Sequence, residues 1–425
     1  MKSDNPISQN IRLIFRALRH RNFRLFFLGQ SVSLVGTWMQ TMAIGWLVYR
    51  ITHSALMLGV VGFASQISSF ILSPLAGVYA DRWNRHRVLM ITQSLAMLQA
   101  LTLAILVMRG HIAVWHLVCL STFLGIVFAF DAPIRQSFIV EMIDSREDLG
   151  NAIALNSMMF NAARLIVPSI AGIVVAMLGE GLCFVLNGVS YSAVIVSLMA
   201  MKFTARKTIV SDTHVIEDLK EGFSYALRFP PIKSIVLLIG LVSLMGMPYA
   251  VLMPVFAHDI LHGAARTLGF LMGAAGMGAL AGAAYLASRK SVRGLGNIIA
   301  LNATLLGIGL IAFSFSRALW ISLSLMVVVG FGAMVQMGAS NIVLQTIVDD
   351  DKRGRVMSFY TMAFLGMAPF GSLLAGTLAN KIGAPLTFVI SGTACIAGAL
   401  IFSRTLSALR ETTQHSGPAW ASFMH

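Results

Sequence analysis

The sequence predicts an all-α membrane protein of twelve transmembrane helices in two pseudo-symmetric six-helix halves. Three observations carry that prediction: a composition suited to lipid, apolar blocks of spanning length, and a one-sided placement of lysine and arginine. Of the 425 residues, 57% are hydrophobic and only 11% charged, against about 25% charged in soluble domains. The apolar residues fall in blocks of roughly 20 or more, the length a helix needs to cross about 30 Å of hydrocarbon. Backbone groups in lipid must be satisfied within the segment, so such blocks read as helices. Strand-like alternation is absent, which argues against a β-barrel.

Short charged clusters delimit spans at 23–49, 55–79, 88–108, 113–134, 151–178, 182–201, 231–257, 267–288, 296–315, 318–343, 356–380 and 384–406. With the N-terminus inside, only Arg50, Arg109, Arg266, Arg317 and Lys381 face outward, and Arg164 lies deep within a span. The remaining Lys and Arg face the cytoplasm. This positive-inside bias puts both termini in the cytoplasm of a multi-pass bacterial inner-membrane protein. The net charge of +14 is therefore topological, and no nucleic-acid partner is expected. No cleavable signal peptide is visible at the start. Residues 7–18 place Ile7, Ile11, Ile14, Phe15 and Leu18 on one helical face, which suggests a short helix lying on the inner leaflet. A basic arm without structure is an equal alternative. Cys119, Cys183 and Cys395 sit in separate spans with no metal-ligand or CxxC spacing, so neither a disulfide nor a metal site is expected.

The longest polar interval, 203–230, sets the domain division. Residues 1–22 form a basic amphipathic arm, 23–202 an N-terminal half, 203–230 a central cytoplasmic loop, 231–407 a C-terminal half and 408–425 a cytoplasmic tail. The halves resemble each other. An offset of 204 residues lays Gly150, Gly172, Gly179, Phe184 and Gly188 on Gly354, Gly376, Gly383, Phe388 and Gly392 without a gap. An offset of 210 lays Ser33, Gly36 and Gly59 on Ser243, Gly246 and Gly269. Glycines in register through apolar sequence point to an internal repeat.

The loop after the second span reads GVYADRWNRHR. Gly77, Asp81, Arg82, Arg85 and Arg87 match the signature that major facilitators carry between their second and third helices. The resemblance implies that this loop closes a cytoplasmic gate; the equivalent loop of the second half has Ser291 in place of the acid. The stretch FDAPIRQSFIVEMIDSREDLGNAIALNSMMFNAARLIVPSIAG, from Phe130 to Gly172, narrows the resemblance to the branch of the major facilitator superfamily that holds the enterobactin exporter and macrolide efflux proteins. It covers residues from about 10 to about 407. Its ARLIVPSIAG segment is also similar to the fifth-helix motif of antiporters. Val167 replaces one glycine, Pro168 is expected to bend the span, and Gly172 permits close packing.

The fifth span carries a polar stripe. Ser157, Asn161, Arg164, Pro168 and Gly172 fall on one helical face. Arg164 is about 21 Å from the cytoplasmic end by helix rise. A charge there is costly in lipid and should face protein or water, as an anion-binding or coupling residue or as a structural ion pair. Asp131 is the one carboxylate inside the spans as drawn, near the cytoplasmic end of the fourth. It is the leading candidate for carrying a proton, since burial favours the neutral carboxyl; the alternative is a brace for Arg135, Arg164 or a neighbouring loop. Further cavity candidates are Gln30, Thr37, Trp38 and Gln40 in the first span, Asn161 in the fifth, Tyr249 in the seventh, and Gln336 and Asn341 in the tenth. For any one of them an interhelical hydrogen bond is the simpler role.

These residues make a transporter the expectation: proton-coupled efflux of a hydrophobic or amphiphilic small molecule by alternating access, as a monomer in the lipid bilayer. The coupling and the efflux direction come from the resemblance. No phosphate-binding GxxxxGK[ST] run is present, so ATP drive and a cofactor are unsupported. The alternatives are a lipid or lysolipid flippase of the same fold, and a membrane enzyme or scaffold. An enzyme should show a catalytic constellation, and His53, His111, His116 and His258 lie near outer span ends with no Ser or Glu partner pattern.

Overall fold

The structure, a computed structural model, describes residues 15–80, 83–202, 229–289, 291, 294–348 and 350–413. Among them are twelve long helical spans and no strand. They are α1 (Arg21–Thr52), α2 (Ala55–Ala80), α3 (Arg85–Met108), α4 (Val114–Glu141), α5 (Arg146–Leu178), α6 (Glu180–Ala200), α7 (Pro230–Ile260), α8 (Ala265–Ser288), α9 (Leu295–Phe315), α10 (Leu319–Ile347), α11 (Asp350–Ile382) and α12 (Ala384–Thr413). Eleven are long and apolar enough to cross a membrane. The other, α1, has 32 residues, about 48 Å of helix at 1.5 Å per residue. Its hydropathy is lowered by Gln30, Ser33, Thr37, Gln40 and Thr41, so the polar residues that draw attention to this span also weaken its hydropathy signal.

α7 departs from a plain helix. It runs as α-helix over Pro230–Leu241, widens to a π-turn at Val242–Gly246, resumes over Tyr249–Val255, and ends in a second π-turn at Phe256–Ile260. Pro248 and Pro254 lack an amide donor, and π-turns re-accommodate a ladder interrupted in this way. The second turn carries the helix beyond residue 257, where the apolar block ends.

The chain divides into two compact units, Met1–Ile44 with Ser68–Ser211, and Gly45–Ile67 with Asp212–His425. In the first, α3 packs on α4 and α6, and α5 packs on α6. A core of Phe23, Phe26, Leu89, Ile134, Phe138, Leu155 and Leu198 fills one end. There a 3-10 turn, Arg16–Arg19, docks on the first turn of α5. Ala17 is fully buried and its N–H donates to Asn151 Oδ1 at 2.9 Å. Asp148 gathers Arg16 Nε and Arg19 Nη2, each at 2.5 Å, and His20 Nε2 at 2.8 Å. Residues 15–19 are thus held by ion pairs to protein rather than laid on lipid as an amphipathic helix; residues 7–14 lie outside the described residues.

In the second unit, α8 packs against α10, and α9 against α10 and α12. Small residues set the spacing, as expected where lipid removes the hydrophobic drive between helices. A Cβ on Gly330 would stand 1.9 Å from the Ala275 carbonyl oxygen, and one on Gly278 1.9 Å from that of Val327. The glycine run of α8 is thus a packing face. In the same unit, Gly376 of α11 meets Gly59 of α2, where a Cβ would stand 2.8 Å from the Gly59 Cα.

The internal repeat recurs as local geometry. Gly179 and Gly383, matched by the offset of 204, have φ of +80° and +85°. Each sits between two consecutive spans, in a conformation that side chains with a Cβ rarely adopt. Gly36 and Gly246, matched by the offset of 210, also pack alike. Gly36 abuts Asn187 and Ser190 on α6, and Gly246 abuts Cys395 on α12.

Candidate functional site

Asp131 is fully buried on α4. Its Oδ1 accepts from Thr92 Oγ1 at 2.9 Å and Gln93 Nε2 at 2.7 Å, both on α3. Its Oδ2 lies 3.2 Å from Arg135 Nη2, one turn further along α4. The carboxylate is therefore neutralised and hydrogen-bonded, as a buried charge must be. Among the described residues no hydrogen bond or ion pair joins it to Arg164, so of the braces open to it the structure contains Arg135.

Arg164 sits 18 residues into the 33-residue α5. It is exposed and has no hydrogen bond or ion pair among the described residues. Phe160, one turn before it, is 45% exposed and meets Trp38 of α1 edge-on, with ring centroids 5.7 Å apart. The Trp38 indole N–H is buried without a hydrogen-bond partner. Asn161 donates to the Ser157 carbonyl of its own helix at 2.8 Å. Pro168 and Gly172, further along, are buried. One face of the first unit thus offers two aromatic rings and a mid-helix guanidinium. An unpaired guanidinium at that depth must meet water or an anion rather than lipid.

The other predicted cavity residues divide by burial. Gln40 is 2% exposed and built into an interhelical network: it donates to Gln99 Oε1 at 3.0 Å and accepts from Asn187 Nδ2 at 2.8 Å. That is the packing role. Thr37 donates to the Ser33 carbonyl at 3.0 Å and is half-buried. Gln30 and Gln336 are buried with an amide oxygen lacking a partner. Tyr249 is buried at the start of the helical segment after Pro248. Asn341 accepts from Gln345 on its own helix at 2.7 Å.

The loop signature is partly covered. Gly77 lies in α2, while Asp81 and Arg82 lie outside the described residues. Arg85 pairs with Glu141 of α4 at 2.5 Å. Arg87 is exposed, and its backbone N–H donates to the capping Asn84 at 3.0 Å.

Sequence reasoning missed one cluster. At the Thr52 end of α1, Tyr49 donates a hydrogen bond to Asp259, in the second π-turn of α7. His258 Nδ1 lies 2.7 Å from the other carboxylate oxygen. Asp259 falls past the apolar block that marked the seventh span, so it read as loop. The usable signal was the offset of 210, which relates Tyr49 to Asp259.

The profile of the transmembrane secretion effector family matches residues 14–422. The staphyloferrin A transporter of Staphylococcus aureus (strain NCTC 8325 / PS 47) is 26% identical over 396 residues, covering 92% of this chain and 99% of that one. The enterobactin exporter EntS of Escherichia coli (strain UTI89 / UPEC) is 25% identical over 387 residues, 90% of each chain. The multidrug efflux pump Tap of Mycolicibacterium fortuitum is 23% identical over 363 residues, 83% of this chain and 88% of that one. Among solved structures, a bacterial homologue of the human lysosomal transporter Spinster, inward-facing and occupied, superposes with a TM-score of 0.71 at 14% identity, over 90% of this chain and 96% of that one. A bacterial homologue of ferroportin does so at 0.67 and 17% identity, over 91% and 97%. The structural likenesses speak to the fold, the profile to the lineage. With twelve helical spans, a two-fold repeat and a profile matched nearly end to end, this chain belongs to the transmembrane secretion effector family of the major facilitator superfamily, whose members are transporters and not enzymes.

Proposed function

We propose that this protein exports a small amphiphilic molecule, one with an apolar, ring-bearing body and an anionic group, by proton-coupled alternating access. The carrying observation is Arg164, a guanidinium unpaired among the described residues, halfway along α5 and one turn from the Trp38–Phe160 pair. Aromatic faces suit an apolar body, and guanidinium binds carboxylate or phenolate oxygens in a fixed fork. Relatives that carry siderophores or drugs support an amphiphilic substrate. In this reading the protein works as a monomer in a bacterial inner membrane. Both termini face the cytoplasm, by the positive-inside bias, and Asp131 carries the exchanged proton.

The test uses inside-out vesicles holding the purified protein under an imposed pH gradient. Uptake of an aryl carboxylate is compared with that of its neutral amide. Preference for the anion, abolished by a protonophore, is the expected result. Equal handling of both, or uptake indifferent to the protonophore, rejects the reading. Transport of lysolipid in place of either probe would identify a flippase.

A further inference from the structure

The hairpin Gly45–Ile67 belongs to the second compact unit, although α1 begins in the first. Its tip is held there by the cluster at the ends of α1 and α7, which the positive-inside bias puts on the outer face. The Tyr49 hydroxyl donates to one oxygen of Asp259, and His258 Nδ1 stands 2.7 Å from the other. The rings of Tyr49, His53 and His258 pack on one another at 5.6 to 5.8 Å, and Trp46 lies 6.1 Å from His258. Tyr49 and Trp46 are 4% and 8% exposed. Asp259 and His258 have side chains 43% and 45% exposed. The tie is therefore dry on its α1 side and open to water on its α7 side. His53 holds a φ of +46°, a conformation uncommon without glycine.

We propose that Asp259 is an outer proton-binding site whose protonation releases the hairpin from α7. As a carboxylate, Asp259 accepts from Tyr49 and His258 together, and charge-assisted bonds of this kind are about twice as strong as neutral ones. A proton on the carboxyl removes that charge and turns one acceptor oxygen into a donor facing a partner that already donates. The groups facing Asp259 and His258 are Trp46, Tyr49 and His53. The neighbouring charges at this end are Arg50 on α1, Arg266 in the first turn of α8 and Lys381 at the end of α11, with His262 in the turn after α7. From α9 and α12, Phe313 stacks on Phe256 of the same π-turn and Phe388 packs tilted against it. Once the polar tie is lost, the hairpin keeps the hydrogen bonds of Ser54 with Asn380, long at 3.4 Å, and of Gln66 with Ser372 at 3.2 Å, the Phe63–Phe370 ring contact, and the contact of Gly59 with Gly376, so the release moves its tip.

This proposal rests on the proton-coupled reading for its purpose, yet it is testable without transport. Spin labels at I51C and I382C, with Cys119→Ser to remove the exposed native thiol, report the separation of hairpin and α11 in the purified full-length protein. The fraction of long separations should rise several-fold between about pH 6 and about pH 3, the range in which a carboxylate takes up its proton; protonation of His258 alone leaves the carboxylate charged and keeps the tie. Asp259→Asn should sit in the long-separation state at every pH. Tyr49→Phe, which keeps the ring and loses the donor, should be shifted the same way and guards against misfolding of the first variant. A separation independent of pH in the parent protein, or an unchanged pH response in both variants, overturns the proposal. A pH-responsive hairpin in a protein whose transport ignores the proton gradient would refute the coupling reading and leave the site standing.

Discussion

Asp131 and Arg135 stand one turn apart on α4 with Oδ2 and Nη2 separated by 3.2 Å, while Thr92 and Gln93 hold the other oxygen from α3. Removing the carboxylate therefore acts on structure as well as on any proton it carries. Asp131→Ala should lower stability by about 2–3 kcal/mol, at the low end for a buried pair because Arg135 reaches solvent. Asp131→Asn keeps an acceptor for Thr92 and Gln93, so it should fold and bind substrate yet fail to concentrate it in response to a pH gradient. Thermal unfolding and vesicle transport separate the two effects. Accumulation retained in Asp131→Asn would leave Asp131 as a brace only.

Arg164→Ala should weaken binding of an anionic aryl substrate by about 10- to 100-fold, the loss of about 1.5–3 kcal/mol for hydrogen bonds to a charged group. The neutral analogue should be nearly unaffected. Trp38→Ala should weaken both, because it removes ring contact rather than charge. Equilibrium binding in detergent reads this directly, and equal losses for anion and amide in Arg164→Ala would remove Arg164 from the site.

Gly376→Ala should loosen the α2–α11 contact, since its Cβ would stand 2.7 Å from the Ala55 carbonyl and 2.8 Å from the Gly59 Cα. Both neighbours are backbone, so neither yields by a rotamer change. A loss of about 1–3 kcal/mol is expected from overpacking. Gly398→Ala is the comparison, because there the nearest atom is a flexible Leu241 methyl. A melting temperature equal for the two variants would contradict the assignment.

Asp148 anchors the turn Arg16–Arg19 through Arg16, Arg19 and His20. Asp148→Asn removes the charge those groups share, and hydrogen exchange over residues 15–20 should accelerate while α5 beyond its first turn stays protected. Unchanged exchange would mean that the Ala17–Asn151 bond and the burial of Ala17 suffice alone.

The sequence by itself determined the helical spans, their expected sidedness, the two-fold repeat and the family. The spans and their sidedness follow from local composition: lipid forces every span to satisfy its own backbone, and basic residues orient it. The repeat follows from glycines in register, and the family from the resemblance of the loop at 77–87 and the stretch at 130–172. Gly179 and Gly383 are a matched pair in the sequence and share a positive φ in the structure. The tertiary structure decided which side chains meet. It gave Asp131 to Arg135, left Arg164 unpaired among the described residues beside the Trp38–Phe160 pair, and drew Gln40 into a packing network. It also carried α7 three residues past its apolar block and set Asp259 against Tyr49. Apart from Asp131–Arg135, an i,i+4 pair already open in the sequence, these arrangements lay beyond the sequence because each residue advances a helix by about 100°, and a π-turn adds a residue to the count. A small change in phase therefore turns a polar side chain from a neighbouring helix toward lipid or water. That phase is set by glycine contacts between helices far apart in the chain.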